Sequence, residues 1–191
     1  LPIYSWININ ANVYSNWFRN KIEGMWSNDQ TELHYINIGK SRLAGVETMC
    51  KIQINRHINM HGAYNYLYTS KDADGVRLSS SSPHSGNIRA EYNTRIPRYA
   101  TVVNLSGNIM GKKKFDVLDE LEIDGKKVEA YYQAKVNPYC LWDLTVSQYI
   151  MQNLRITAGI TNLFDYTSDR VTFNTSTSPG RNYFIACNYT L

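Results

Sequence analysis

An unusually long run of alternating side chains, "SWININANVYSNWFR" from Ser5 to Arg19, constrains this chain more than any other feature. Successive side chains of a β-strand point to opposite faces, so the run predicts a strand with one apolar and one polar face. Strands of soluble proteins usually have about 5–6 residues. This run is close to the about 9–11 residues that a tilted strand needs to cross a bilayer. Its apolar positions are Ile7, Ile9, Ala11, Val13 and Trp17, and its polar positions are Asn8, Asn10, Asn12, Tyr14 and Asn16.

The same period of two returns along the chain, which predicts about eight strands. The further segments are 45–55, 58–69, 87–95, 99–110, 139–150, 154–164 and 181–191. Their polar faces carry amide and charged side chains.

The connections between these segments alternate between short and long. The joins near 56–57, 96–98 and 151–153 are short, whereas the stretches near 23–31, 70–85, 112–134 and 166–180 are long and polar. Outer-membrane barrels have short periplasmic turns and longer extracellular loops. The sequence therefore predicts an all-β fold of antiparallel up-and-down transmembrane barrel strands. Asp124-Gly125 is a good hairpin signal, so we expect a small hairpin within the third long stretch.

Composition supports strands as the only membrane-spanning elements. Mean hydropathy is −0.42, and no stretch approaches the about 20 apolar residues of a transmembrane helix. Fifteen tyrosines and four tryptophans against five phenylalanines favour rings with a polar tip, which collect at membrane interfaces. The net charge of +4 is too small to indicate nucleic acid as a partner.

The sequence offers no constellation for catalysis, metal binding or a cofactor. Three cysteines have neither disulfide-like nor metal-like spacing, and the four histidines share no local spacing. "DADG", residues 72–75, resembles the start of a calcium loop but lacks the later glutamate. We therefore expect no enzyme activity, no metal and no cofactor.

The C-terminal end resembles the last two strands of TonB-dependent outer-membrane receptors. Its two segments are "LRITAGITNLFDY" (154–166) and "SPGRNYFIACNYTL" (178–191). The matching positions are Asn162, Leu163, Phe164, Asp165, Pro179, Gly180 and Arg181. "NIGKSRLAGVE" (37–47) and the pair Pro83-His84 are similar to the family as well, whereas Leu191 departs from its usual aromatic ending.

The resemblance implies a bacterial outer-membrane location and a barrel of about 22 strands with a plugged lumen. Residues 1–191 are then one barrel segment, the C-terminal third, without the plug. The family imports bulky scarce nutrients: siderophore-bound iron, haem, cobalamin or oligosaccharides. Implied partners are membrane lipid, the rest of the receptor, the TonB complex through the missing N-terminal part, and a surface lipoprotein. The loop residues expected to contact ligand are Trp26, His84, Tyr131, Tyr132 and Arg170.

Two alternatives fit parts of the sequence. A complete eight-stranded outer-membrane barrel, acting as a structural protein, an adhesin or a small enzyme, would have a matching strand number. A soluble all-β sugar-binding module would share the aromatic content but would have no reason to sort its loops by length. The terminal motif favours the receptor.

Overall fold

The computed structural model describes residues 2–4, 6–26, 32–70, 82–123, 126–150, 153–167 and 180–190, and their regular structure is entirely β-strand. No helix within these ranges is long and apolar enough to cross a membrane. The strands are β1 (Pro2–Tyr4), β2 (Ile7–Trp26), β3 (Leu33–Gln53), β4 (Ile58–Thr69), β5 (His84–Asn93), β6 (Thr101–Met110), β7 (Lys113–Ile123), β8 (Lys126–Val136), β9 (Tyr139–Ile150), β10 (Leu154–Thr161) and β11 (Asn182–Tyr189).

Nine strands form one antiparallel sheet in the order β1-β2-β3-β4-β5-β6-β9-β10-β11, while β7 and β8 form a separate hairpin. The order follows the chain once the hairpin is set aside, which confirms the predicted up-and-down arrangement. The hairpin confirms the prediction made from Asp124-Gly125, although these two residues lie outside the described ranges. Within the described residues, β11 pairs with β10 alone, so the sheet does not close on β1.

Strand pairing sorts the side chains of the sheet onto two faces. One face carries the cross-strand row Ile9, Cys50, Gly62, Ile88, Gly107 and Trp142, and we call it the apolar face. The neighbouring residues of each strand form the row Asn10, Met49, Ala63, Asn87, Asn108 and Leu141 on the opposite, polar face. The alternation seen in the first strand therefore extends across the sheet in register.

The described residues do not enclose a hydrophobic core. Val136 is the one buried hydrophobic residue among them, whereas Val13 and Ile185 on the apolar face are 75% and 81% exposed. A soluble sheet would bury such a face against a second layer. Exposure of a whole apolar face is what a lipid environment stabilises.

Two strands are longer than the alternation predicted. β2 continues to Trp26 and β3 begins at Leu33, whereas the alternation predicted strands over 5–19 and 45–55. The residues of β3 that precede Leu43 in sequence pair only with β2, because the pairing with β4 begins at Leu43. This part of the β2–β3 hairpin, which we call its upper part, therefore extends past the end of β4. Neither of its faces has to be apolar there, and the period of two is lost. Trp26, predicted in a loop, lies instead at the end of β2.

The strand ends step along the sheet from β2 to β11. The row that starts at Ile7, the first residue of β2, reaches Leu144 in β9 and Tyr183 near the start of β11. β11 then runs on to Tyr189 below that row. A barrel requires such a stagger, because tilted strands can close a sheet only with a fixed shear of their register.

Aromatic rings cover glycines at three cross-strand positions of the sheet. A Cβ atom added at each glycine would collide with the ring of its direct partner. These glycines therefore make room for a ring that lies flat on the neighbouring strand, an arrangement that pins register. The pairs are Gly45 beneath Tyr14, Gly107 beneath Trp142 and Gly159 beneath Phe184.

Candidate functional site

A hollow of about 640 Å³ lies on the polar face, and we call it the amide hollow. It is built where six strands, β2 to β6 and β9, bring short polar side chains to the same level. Its polar-face lining is Asn10, Asn12, Glu47, Met49, Ala63, Asn65, Ser85, Asn87, Asn108, Met110, Tyr139 and Leu141. The strand alternation places these side chains together although they are far apart in sequence.

The chemistry of the amide hollow is that of a hydrogen-bonding surface with little charge. Each asparagine offers two N–H donors and a carbonyl acceptor, while Glu47 is the one ionisable carboxylate of the lining. The Oδ1 atom of Asn65 is buried and has no hydrogen-bond partner among the described residues. Such an acceptor is suited to a donor from a segment or ligand that fills the hollow.

Charged side chains occupy the polar face toward the end with the short turns. Arg89 donates to Asn104 Oδ1 from Nε at 3.2 Å and from Nη2 at 2.9 Å, and its Nη2 lies 3.7 Å from Glu91 Oε2. Lys51 and His61 lie in the same cross-strand row as Arg89. The polar face therefore changes from amide to ionic character along the strands.

Asn162, one of the predicted motif residues, stabilises the turn that follows β10. Asn162 has a positive φ of 51° and is 4% exposed. Its Nδ2 donates to Tyr166 O at 2.7 Å and its Oδ1 accepts from Tyr166 N at 2.8 Å, so the amide closes a tight turn. The backbone N of Asn162 also donates to Asp143 Oδ1 at 2.9 Å. Leu163 and Phe164 form the turn itself.

Asp165 connects that turn to the far end of the same loop. Its Oδ1 accepts from the backbone N of Arg181 at 2.8 Å. A Cβ at Gly180, whose φ is +89°, would come within 3.2 Å of the same oxygen. A hydrogen bond to the Tyr183 side chain raises the pKa of Arg181. Pro179 lies outside the described residues. The motif thus ties both ends of the loop together at its base.

Sequence reasoning missed the contact that joins this loop base to the amide hollow. The rings of Tyr139 and Tyr166 stack with centroids 5.0 Å apart and planes 10° apart. Tyr139 also lines the hollow. The two rings meet because of the register of β9 against β10, so the pair could not be predicted from the local sequence around either tyrosine.

The structure distributes the predicted ligand-contact residues widely. Trp26 pairs with Leu33 at the end of the β2–β3 hairpin. Tyr131 and Tyr132 lie in β8 of the separate hairpin, whose other strand comes within 8 Å of β2 by Cα distance. Arg170 lies outside the described residues.

His84, expected in a loop, is instead the first residue of β5 and pairs with Tyr66 on the apolar face. Its Nδ1 lies 2.7 Å from Tyr64 Oη, and its ring centroid is 5.2 Å from that of Tyr66. The strand begins earlier than its apolar pattern because Gly86 interrupts the pattern. His84 is therefore directed away from the amide hollow.

The part of the chain that the structure describes contains no cluster of three or more His, Cys, Asp or Glu that could hold a metal. Its three cysteines are free thiols. Register places Cys50, Cys140 and Cys187 on the apolar face.

Comparison with known proteins identifies both a family and a set of structures. A family model described as "TonB dependent receptor-like, beta-barrel" matches residues 3–163. The siderophore receptor PirA from Acinetobacter baumannii aligns with a TM-score of 0.71 and 16% identity, over 97% of this chain and 30% of that one.

Two further structures give the same result. The ferripyoverdine receptor of the outer membrane of Pseudomonas aeruginosa aligns with a TM-score of 0.69 and 16% identity, over 96% of this chain and 25% of that one. The copper transporter OprC has a TM-score of 0.71 and 15% identity, over 97% and 29%. This chain thus spans less than a third of the length of each of these proteins.

Proposed function

This chain belongs to the TonB-dependent receptor β-barrel family of the bacterial outer membrane, and from that premise we propose that it is the C-terminal barrel segment of a receptor importing a scarce, bulky nutrient. The apolar face contacts lipid, and the polar face lines the lumen. Members of this family are receptors and transporters rather than enzymes. We take residues 1–191 as one segment of a larger barrel whose plug lies elsewhere in the protein.

The observation that carries the proposal is the amide hollow on an otherwise two-faced, open sheet. A lumen lined by amides can hold a plug through many hydrogen bonds without fixing it by strong charge pairs. Asn65 Oδ1, which has no hydrogen-bond partner among the described residues, supports an occupant at this level. A closed eight-stranded barrel is less compatible with the described sheet, in which β1 and β11 do not meet.

Ferric siderophores are the substrates that we propose first. Similar structures include a siderophore receptor and a ferripyoverdine receptor, while the similarity to a copper transporter supports a metal-containing substrate more generally. Haem, cobalamin and oligosaccharides remain alternatives within the same mode of import. Trp26, Tyr131 and Tyr132 are proposed as outer contacts, because both hairpins rise at the end of the sheet with the long connections. Arg170 is proposed on sequence grounds alone.

The proposed partners follow from the same import cycle. They are the plug, the TonB complex reached through the N-terminal part of the protein, outer-membrane lipid and a surface lipoprotein. One of the similar structures is the complex of FpvAI with pyocin S2, and we do not extend that partner to this chain.

The test is uptake of ferric siderophores by cells that express the full-length receptor as their only one. We expect iron accumulation that disappears when the energy-coupling protein is deleted. The double variant Asn87→Leu/Asn108→Leu removes two facing amides of the hollow. One hydrogen bond lost from each amide, at about 0.7 kcal/mol net, amounts to about 1.4 kcal/mol and should lower uptake roughly tenfold.

Ile88→Leu is the matched control, since it changes a neighbouring side chain on the apolar face and should leave uptake unchanged. Uptake that persists without the energy-coupling protein would contradict the receptor assignment. Equal uptake by the asparagine variant and the control would show that the hollow has no part in import.

A further inference from the structure

A group of cations stands on the apolar face at the upper limit of the sheet. It consists of Arg19, Lys40 and Arg42 together with Trp17, and we call it the cationic cluster. Trp17 pairs with Arg42 and Arg19 pairs with Lys40 across β2 and β3, so all four side chains share the face of Val13. Charged side chains on a lipid-facing surface are unfavourable unless they reach the interface. The cluster therefore requires a polar environment outside the barrel wall.

The level of the cluster agrees with the outer interface of the membrane. The apolar positions of β2 begin at Ile7, and the distance from there to Trp17 is ten residues of tilted strand, close to the about 25 Å height of a barrel's apolar band. Arg42 is the first residue of β3 beyond the last pair with β4, Leu43 with Thr69. The long connections lie at this same end.

Arg42 is held in place before any ligand arrives. Its guanidinium lies over the Trp17 ring at 5.1 Å, and its Nε donates to Ser15 Oγ at 2.9 Å. Its backbone N donates to Ser70 Oγ at 2.7 Å, and its carbonyl accepts from Ser70 N at 2.8 Å. An arginine stacked on an aromatic ring and fixed at Nε retains the N–H groups of Nη1 and Nη2 as donors for a further partner.

The charge of the cluster is not balanced by the protein that the structure describes. No described carboxylate forms an ion pair with Arg19, Lys40 or Arg42. Like charges placed directly opposite on adjacent strands, as Arg19 and Lys40 are, destabilise a sheet. An anion between them would remove that repulsion.

A depression of about 470 Å³ completes the arrangement. It is lined by Trp17, Phe18, Arg19, Lys40, Ser41, Arg42 and Ser70. Phe18 and Ser41 pair with each other on the opposite face, so their side chains do not belong to the cluster. The depression gives an anionic group room beside the three cations.

We propose that the cationic cluster binds the phosphate of a lipid headgroup in the outer leaflet of the outer membrane. Arg42 supplies a planar pair of N–H donors matched to phosphate oxygens, while Arg19 and Lys40 supply additional positive charge. Trp17 orients Arg42 at the headgroup level. The bound lipid stabilises the base of the β2–β3 hairpin where it leaves the bilayer. This binding depends on the outer-membrane location and not on which nutrient the receptor imports.

The test uses the full-length receptor in a non-ionic detergent, with bound lipid counted by native mass spectrometry. The probes are a diphosphorylated glycolipid (lipid A), the same glycolipid without its phosphates, and inorganic phosphate. We expect retention of the phosphorylated lipid alone. A basic residue near an anionic membrane surface contributes about 1 kcal/mol, so Arg19→Gln and Lys40→Gln should each weaken retention about fivefold. Arg42→Gln should weaken it more, because it also loses the bidentate contact.

Lys135→Gln is the matched control, because it removes one exposed positive charge at the foot of the β7–β8 hairpin and should leave retention unchanged. Arg19→Gln and Lys40→Gln keep the result interpretable if Arg42→Gln disturbs the barrel. Equal retention of the dephosphorylated glycolipid, full competition by inorganic phosphate, or an equal loss in Lys135→Gln would each overturn the proposal.

Discussion

Replacing Asn162 with alanine should open the base of the last long loop by a predictable amount. The substitution removes two hydrogen bonds to the backbone of Tyr166, at 2.7 and 2.8 Å. Each is worth about 1 kcal/mol net, because it replaces hydrogen bonds that the same groups make with water in the open state. The φ of 51° adds about 1 kcal/mol, since alanine is disfavoured in the left-handed region that asparagine tolerates. The sum is about 3 kcal/mol.

Hydrogen–deuterium exchange of the full-length receptor measures this local opening directly. In the regime where exchange reports the opening equilibrium, about 3 kcal/mol corresponds to roughly hundredfold faster exchange of the amides between Asn162 and Tyr166. Asn162→Gly keeps the left-handed conformation accessible, so it should accelerate exchange only about thirtyfold.

Asn182→Ala is the control at the other end of the same loop. Its Nδ2 donates one bond of 3.1 Å to Gly180 O from an exposed position, so we expect less than about threefold acceleration. Equal exchange in Asn162→Ala and the wild type would refute the view that the asparagine amide closes this turn. Equal acceleration by alanine and glycine would refute the contribution assigned to φ.

Two further substitutions test the packing and the sidedness of the sheet. Gly107→Val should displace the Trp142 ring and destabilise the barrel by about 1–3 kcal/mol, measured as a shift in intrinsic fluorescence during denaturation, whereas Gly39→Val, with nothing within 4 Å of its Cβ position, should have little effect. Val13→Arg should reduce folding into lipid vesicles by about 2–4 kcal/mol because it places a charge in hydrocarbon, while Asn12→Arg on the polar face should fold almost as the wild type does. Equal effects within either pair would contradict the assigned environment.

Period-two alternation predicted most of the sheet because lipid on one side and water on the other impose that pattern. It predicted β4 and β9 with their observed bounds and the start of β10. The alternation did not predict strands where lipid and water do not lie on opposite faces. The part of β3 from Leu33 to Arg42 pairs with β2 but not with β4, so neither of its faces has to be apolar, and β1 is too short for a period to be recognised.

The candidate site was harder to predict than the strands. The asparagines of β2 were predicted to form a polar face. Their grouping with Asn65, Asn87 and Asn108 depends on the register between strands that are distant in sequence. The terminal motif was recognised by resemblance, and only the structure shows that Asn162 and Asp165 act as hydrogen-bonding ties. Cross-strand partnerships of this kind leave no trace in local sequence.

The ties at Asn162 and Asp165 have a consequence for how freely the connection between them can vary in length. Because Asp165 Oδ1 holds the backbone of Arg181, the sheet meets the same two anchor points whatever sequence connects them. Doubling the length of a flexible connection costs only about 0.6 kcal/mol in closure entropy. We therefore expect insertions and deletions between Asp165 and Arg181 to leave the pairing register of β10 and β11 unchanged. Two side chains, Asn162 and Asp165, thus make the register of the last two strands independent of the sequence that connects them.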